Sequence, residues 1–158
     1  MEVNLHADEW ESGSDRPGYA ERERRLGDLL GARLMGATLY ELQPGTRICP
    51  YHFHLGEEEW LLVVSGSPTV RTPEGEQALA AWDVLAFPRG KAGAHEVRNG
   101  GTEPARVMML STVSDPELVV YPDSGKVGAI GGWTRPDGEV VRLRNRPEAN
   151  LDYFEGEA

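Results

Sequence analysis

The sequence is poor in cysteine. Cys49 is the only one in 158 residues, so no disulfide can close within the chain and packing has to hold the fold. Positive charge is scarce too: 16 Lys and Arg stand against 26 Asp and Glu, for a net charge of -10. That balance works against a nucleic-acid backbone or an anionic membrane as the main partner, because both attract positive potential. Long apolar runs are missing. None exceeds five residues, the length of Trp60 to Val64, against the ~20 that cross a bilayer. The first fifteen residues are acidic, without the basic head and apolar stretch of a secretion signal. With the lone cysteine, this predicts a reducing, cytoplasmic setting. Gly-x-Ser-x-Gly and the glycine loops of Walker and Rossmann type are also absent, which leaves a serine or cysteine hydrolase triad and nucleotide cradling without support.

What the chain has in quantity is glycine and proline, 19 and 11 residues. Together they make about a fifth of the chain, against an ordinary ~12%. Such a density of breakers excludes long helices and predicts strands and turns, with 39% hydrophobic residues available for one core.

Along the chain, residues 1–33 read as a polar arm packed on the core, with at most one helical turn. From 34 to 112 short apolar segments alternate with turns. The candidate strands are Leu34–Leu42, Arg47–His54, Glu59–Val64, Thr69–Thr72, Gln77–Ala81, Val84–Phe87, His95–Arg98 and Ala105–Leu110. Strands at this spacing indicate an all-β sandwich or barrel rather than βαβ units. Glu59–Val64 is apolar on both faces, so it needs cover on both. One cover is the barrel interior, and the other is the arm or a second subunit; this predicts a homodimer. Residues 113–158 are less regular, with a strand at Val119-Val120-Tyr121, a turn at Arg135-Pro136-Asp137-Gly138 and the aromatics Tyr153-Phe154 near the end. That extension is expected to dock on the barrel within a single domain.

The residues with chemistry centre on His52 and His54, flanking Phe53 on a predicted strand. Side chains at i and i+2 project to one face, so both imidazoles can reach one ion. Glu57-Glu58-Glu59 follow at once, and His95 stands on a later strand with Asn99 four residues on. Two histidines, a carboxylate and a distant histidine would make a compact site of three nitrogens and one oxygen. Each signal taken singly also fits a solvated acidic turn or a structural histidine. By the same alternation, Cys49 should face away from an ion that His52 faces, and His6 reads as an exposed bystander. Tyr40, Phe87 and Met108 read as ordinary core.

The wider pattern resembles the cupin superfamily. Gly45, six residues, His52-Phe53-His54, four residues, Glu59, six residues and Gly66 follow its first motif, with one residue more after the glycine. Trp82, five residues, Pro88-Arg89-Gly90, four residues, His95, three residues and Asn99 follow its second. There Trp82 stands in place of the opening glycine, and two extra residues precede His95. The resemblance covers residues 45–99 and, with flanking strands, about 34–112. It implies a double-stranded β-helix barrel with both extensions packed outside. It also implies a divalent transition metal (Fe, Mn, Ni, Zn, Co or Cu) held by His52, His54, Glu59 and His95, with Glu58 as the alternative carboxylate. No catalytic residue and no organic cofactor is implied. The expected partner is a small organic molecule. Cupins with such ligands include dioxygenases, isomerases, decarboxylases and non-catalytic binders; dioxygenase-type chemistry is the leading expectation, an isomerase or lyase and a binding module the alternatives.

Overall fold

A computed structural model describes residues 2–20, 22–132 and 139–157. In chain order they form β1 (Glu11–Ser12), β2 (Arg22–Arg24), α1 (Leu26–Leu30), β3 (Met35–Leu42), β4 (Phe53–His54), β5 (Glu59–Ser65), β6 (Thr69–Thr72) and β7 (Gly75–Ala78). There follow β8 (Val84–Phe87), β9 (Glu96–Arg98), β10 (Ala105–Thr112), β11 (Glu117–Tyr121), β12 (Lys126–Gly131) and β13 (Val141–Asn145). The pairings are antiparallel, in sheets ordered β1-β2-β3-β10-β5-β8, β13-β12-β11-β4 and β7-β6-β9. This is the expected all-β double-stranded β-helix. No described helix is long and apolar enough to cross a membrane.

Alternation along β3, β5 and β10 sorts their side chains into two layers. Inward, Leu42, Leu61, Val63 and Val107 join Val70, Phe87 and Val97 in the barrel core. Outward, Leu39 and Val64 meet Leu26 of α1, with Val3, Leu5, Trp10 and Met108 around them. The arm therefore supplies part of the second cover that β5 needs, and β2 extends the barrel sheet by pairing Glu23 with Tyr40. The cover is incomplete, because Trp60 remains 48% exposed.

Two local expectations are corrected. Residues 47–52 are not a continuous strand; this stretch touches the sheets through bridges at Arg47 and His52, with bends between them. Pro50, without an N–H, cannot contribute to a ladder there. The C-terminal tail does not dock: Tyr153 and Phe154 pack edge to face on each other and are 87% and 72% exposed. Only the first part of the extension joins the barrel, where β11 pairs with β4, while β13 is exposed along its length. The turn expected at Arg135 to Gly138 lies outside the described residues.

Both departures in the second motif are absorbed. Trp82 adopts a φ of 77°, the left-handed conformation that glycine takes without strain, and its N–H still reaches Val63 O at 2.7 Å. The extra residues before His95 form a single 3-10 turn, Lys91–Gly93. Gly93 is required in that turn, because a Cβ there would collide with the Pro88 carbonyl. Asn99 is structural: its buried side-chain amide donates to Leu42 O and Glu103 O, both at 2.8 Å, fixing the turn before β10.

Candidate metal centre

His52 and His95, 43 positions apart in sequence, sit side by side because their backbones form a bridge: His52 N–H donates to His95 O at 3.1 Å and His95 N–H to His52 O at 2.8 Å. The same stretches orient the rings. His52 Nδ1 lies 2.9 Å from Pro50 O and His95 Nδ1 2.9 Å from Gly93 O. A carbonyl can only accept, so both rings carry their proton on Nδ1 and present the Nε2 lone pair. His54 arrives on the same strand face, its Nε2 3.0 Å from His52 Nε2.

Glu59 opens β5 on the inward face. Its Oε2 lies 3.2 Å from His54 Nε2, 3.3 Å from His95 Nε2 and 3.9 Å from His52 Nε2. That oxygen is buried, and none of these approaches is aligned as a hydrogen bond. Glu58 points outward, where it accepts the Trp60 indole N–H at 3.0 Å. The structure thus brings together all four residues named from the sequence, with His52, His54 and Glu59 as the tightest trio and His95 joining through Glu59. His6 stays in the exposed arm.

Three imidazole nitrogens gathered around one carboxylate oxygen are a donor set of the type that holds a first-row divalent ion. The electrostatics agree. Burial, followed by the charge of His95, pushes His52 down to about 4. Burial also holds His95 below the ordinary histidine value, so both rings stay neutral, as coordination requires. Burial opposes charge on His54 as well, but Glu59, Glu117 and Glu57 outweigh it and raise its pKa. Burial would raise Glu59, yet the three histidines hold it ionised below the usual carboxylate range.

Sequence reasoning missed a second ring of groups. Glu117, 1% exposed on β11, places Oε1 3.3 Å from His54 Nδ1 and accepts the N–H groups of Leu55 and Gly56 at 3.2 and 3.3 Å. Gly56 is required here, since a Cβ would collide with Glu117 Oε2. Glu57 lies 3.8 Å from the same nitrogen and accepts the Ser114 N–H; burial raises its pKa. His52 and His95 thus have carbonyl acceptors at Nδ1, and His54 Nδ1 has the Glu117 and Glu57 carboxylates close by without an aligned hydrogen bond; such outer groups orient ligand rings and raise their basicity. Phe87 stacks on His95 with ring centroids 3.8 Å apart, so it is more than ordinary core. Glu57 carried a faint signal as part of the acidic triplet; Glu117 carried none.

The four residues border a cavity of about 270 Å³ that also takes in Ser14, Ala20 and Glu23 from the N-terminal region, Tyr40, Cys49 and Met109. Cys49 corrects the sequence reading: its Sγ lies 3.4 Å from His52 Nδ1, because the bends at 48–51 break the alternation that would have turned it away. Met108, by contrast, faces the outer layer. Burial raises both the Tyr40 hydroxyl and the Cys49 thiol far above their ordinary values, so each keeps its proton. A larger cavity, about 570 Å³, lies outside the barrel between α1 and β3; of the residues near the centre it includes only Glu57.

Residues 38–111 match the family model described as Cupin domain. A protein from Acidithiobacillus ferrooxidans, provisionally named a sugar phosphate isomerase, is 30% identical over 85% of this chain and 82% of its own, with a TM-score of 0.70. A sugar phosphate isomerase from a cupin superfamily of Silicibacter pomeroyi superposes with a TM-score of 0.78 over 97% of this chain and 98% of its own, at 24% identity. A polyketide cyclase of Streptomyces resistomycificus shares the fold with a TM-score of 0.56, 24% identity, and 72% and 81% of the two chains covered. No curated protein matches the chain.

Proposed function

The chain belongs to the cupin superfamily, and on that premise we propose that it is a metal-dependent enzyme interconverting small hydroxycarbonyl compounds by isomerisation. The observation that carries the reading is the convergence of three Nε2 atoms on the buried Glu59 Oε2 at the wall of a cavity inside the barrel. His52, His54, Glu59 and His95 are the proposed ligands of one divalent ion. When bound, that ion would hold and polarise the substrate's oxygen atoms. The ligand set accepts Fe, Mn, Ni, Co, Cu or Zn.

The chain's own residues do the rest. Ile48, Val97 and Met109 give the cavity an apolar wall, which strengthens polar contacts by excluding water. Tyr40 offers a hydroxyl that stays protonated and can donate to a substrate oxygen. The carboxylates on the cavity wall are Glu23 and Glu59, and no lysine or arginine lines the cavity among the described residues. Such a cavity repels a phosphate, so the preferred substrate is the neutral hydroxycarbonyl compound. Isomerisation is favoured over dioxygenase chemistry because the latter draws on the ligand set alone. The former adds the name of a relative 30% identical to this chain and a second carboxylate in the cavity.

The test is elemental analysis of protein purified without tag or chelator, then parallel assays of aldose–ketose interconversion and oxygen uptake by each metal-loaded form. Interconversion without oxygen uptake supports the reading. Oxygen uptake alone moves the protein to the dioxygenases, and bound metal with neither activity makes it a binding module.

A homodimer is part of the proposal. Trp60 and Val84 lie on one outward face of the β5–β8 pair and are 48% and 56% exposed, and burying them would remove a sizeable apolar patch from water. Light scattering should give twice the monomer mass, and Trp60→Arg should return it to the monomer. A cytoplasmic setting, supported by the single cysteine, completes this reading.

A further inference from the structure

We propose that Glu23 is the catalytic carboxylate that carries a proton between two adjacent carbon atoms of a hydroxycarbonyl substrate in this cavity; the inference rests on the isomerase reading. Isomerisation needs a proton acceptor beside the substrate carbon, and the four proposed ligands are committed elsewhere. Among the described lining residues, the remaining titratable side chains are Glu23, Tyr40 and Cys49. Burial keeps the proton on the Tyr40 hydroxyl, which serves as a donor, and the Cys49 Sγ is taken up by His52 Nδ1 at 3.4 Å. Glu23 is the carboxylate on the cavity wall that is left free of the proposed ligand set, and a carboxylate oxygen is a proton-accepting group.

The fold delivers it deliberately. β2 pairs with β3 in a register that sets Glu23 directly opposite Tyr40, and side chains directly opposite in such a pair share a sheet face. Both thus line the cavity from adjacent strands. Arg25 binds one oxygen of Glu23: its Nε and Nη2 donate to Oε1 at 3.2 and 3.1 Å. Oε2 accepts no hydrogen bond among the described residues. Glu11 faces Glu23 from β1 on the other side, so Tyr40, Arg25 and Glu11 are the titratable or charged groups directly beside it, while Arg22, Arg24 and Glu41 of β2 and β3 alternate to the opposite face.

The step balances within the substrate. Oε2 of Glu23 takes the proton from the carbon that bears the hydroxyl next to the carbonyl. The C–H electron pair forms a C=C bond and the carbonyl π pair moves to its oxygen, giving an enediolate. The hydroxyl proton passes to the former carbonyl oxygen, the new carbonyl forms, and Glu23 returns its proton to the former carbonyl carbon. One carbon is oxidised and its neighbour reduced by the same electron pair, and the carboxylate is regenerated. Tyr40 donates a hydrogen bond to whichever oxygen carries charge.

Glu23→Gln keeps the oxygen that Arg25 binds and removes the base. In the metal-loaded protein, incubated in D2O with three- to six-carbon aldoses and ketoses and with their phosphates, the variant should incorporate deuterium about 100-fold more slowly or worse, the usual contribution of a positioned base. Its metal content by elemental analysis and its melting temperature should equal those of the wild-type protein. Undiminished exchange by the variant overturns the assignment while leaving the isomerase reading intact. Wild-type protein that exchanges none of the panel overturns the isomerase reading and the assignment with it. Loss of metal from the variant would show that Glu23 helps hold the ion, and overturns its role as proton carrier. Glu23→Asp, which retains charge and shortens the reach, should keep its metal and exchange at least about 10-fold more slowly; wild-type exchange rates in it also overturn the assignment.

Discussion

Glu41 and Glu59 are two nearly buried carboxylates with opposite surroundings. Glu41, on the outward face of β3, accepts from Arg22 at 3.1 Å, Arg106 at 2.9 Å and Gln43 at 3.2 Å. The chain satisfies it completely. Glu59, on the inward face of β5, meets the Nε2 atoms of three imidazoles, and its buried Oε2 has no aligned donor. A buried carboxylate oxygen left without a donor is costly unless a cation meets it. The contrast separates a polar cluster built to hold the barrel from one built to hold something else.

That contrast breaks most decisively at the histidines. His52→Ala, His54→Ala and His95→Ala should each bring metal content close to zero in a protein whose circular dichroism stays β-rich, and His6→Ala should leave metal content unchanged. Glu59→Gln should weaken metal binding strongly and Glu58→Gln hardly at all, because only Glu59 faces the histidines. Retained metal in Glu59→Gln with loss in Glu58→Gln would shift the register by one residue.

Glu117→Gln tests the outer ring. Replacing the carboxylate at His54 Nδ1 should lower metal affinity about 10- to 100-fold, the ordinary effect of losing such a partner. Chelator competition measures it, and unchanged affinity would reduce Glu117 to a structural group.

Glu41→Gln supplies the reverse case. Metal content should stay at the wild-type level, while unfolding by urea should show a loss of about 2–4 kcal/mol, because Arg106 then lacks its partner in a partly buried setting. If Glu41→Gln removed metal, the two clusters would not be independent.

The smallest effect is pH-dependent. In metal-free protein the folded His52 titrates at about 4, below its unfolded value near 6.5. Between these values the unfolded chain binds the extra proton, so stability falls as pH drops from 6.5 towards 4. The contribution is at most roughly 3 kcal/mol, and His52→Gln should flatten that part of the profile. His54 works the other way: its raised pKa adds stability at low pH that is lost as pH rises through the folded value. Urea titrations at pH 7 and 5 on both proteins resolve the difference.

How much of this was legible beforehand depends on distance along the chain. Alternation placed His52 and His54 on one face and Glu59 and Leu61 together on one face of their strand, because a strand's two-residue period is a local property. Turn residues located Thr69–Thr72 and Val84–Phe87 to the residue. The motif spacing pointed to His95 despite two extra residues, since a short turn can absorb length without moving its ends.

Other features were decided by tertiary structure alone. Cys49 turned towards the cavity because bends replaced the strand that local pattern implied. Glu117 reached His54 because β11 pairs with β4 across more than sixty residues, and Glu23 entered the cavity because β2 happens to pair with β3. The reason is physical: local periodicity states which face a side chain takes, but only long-range strand pairing states which other face it meets.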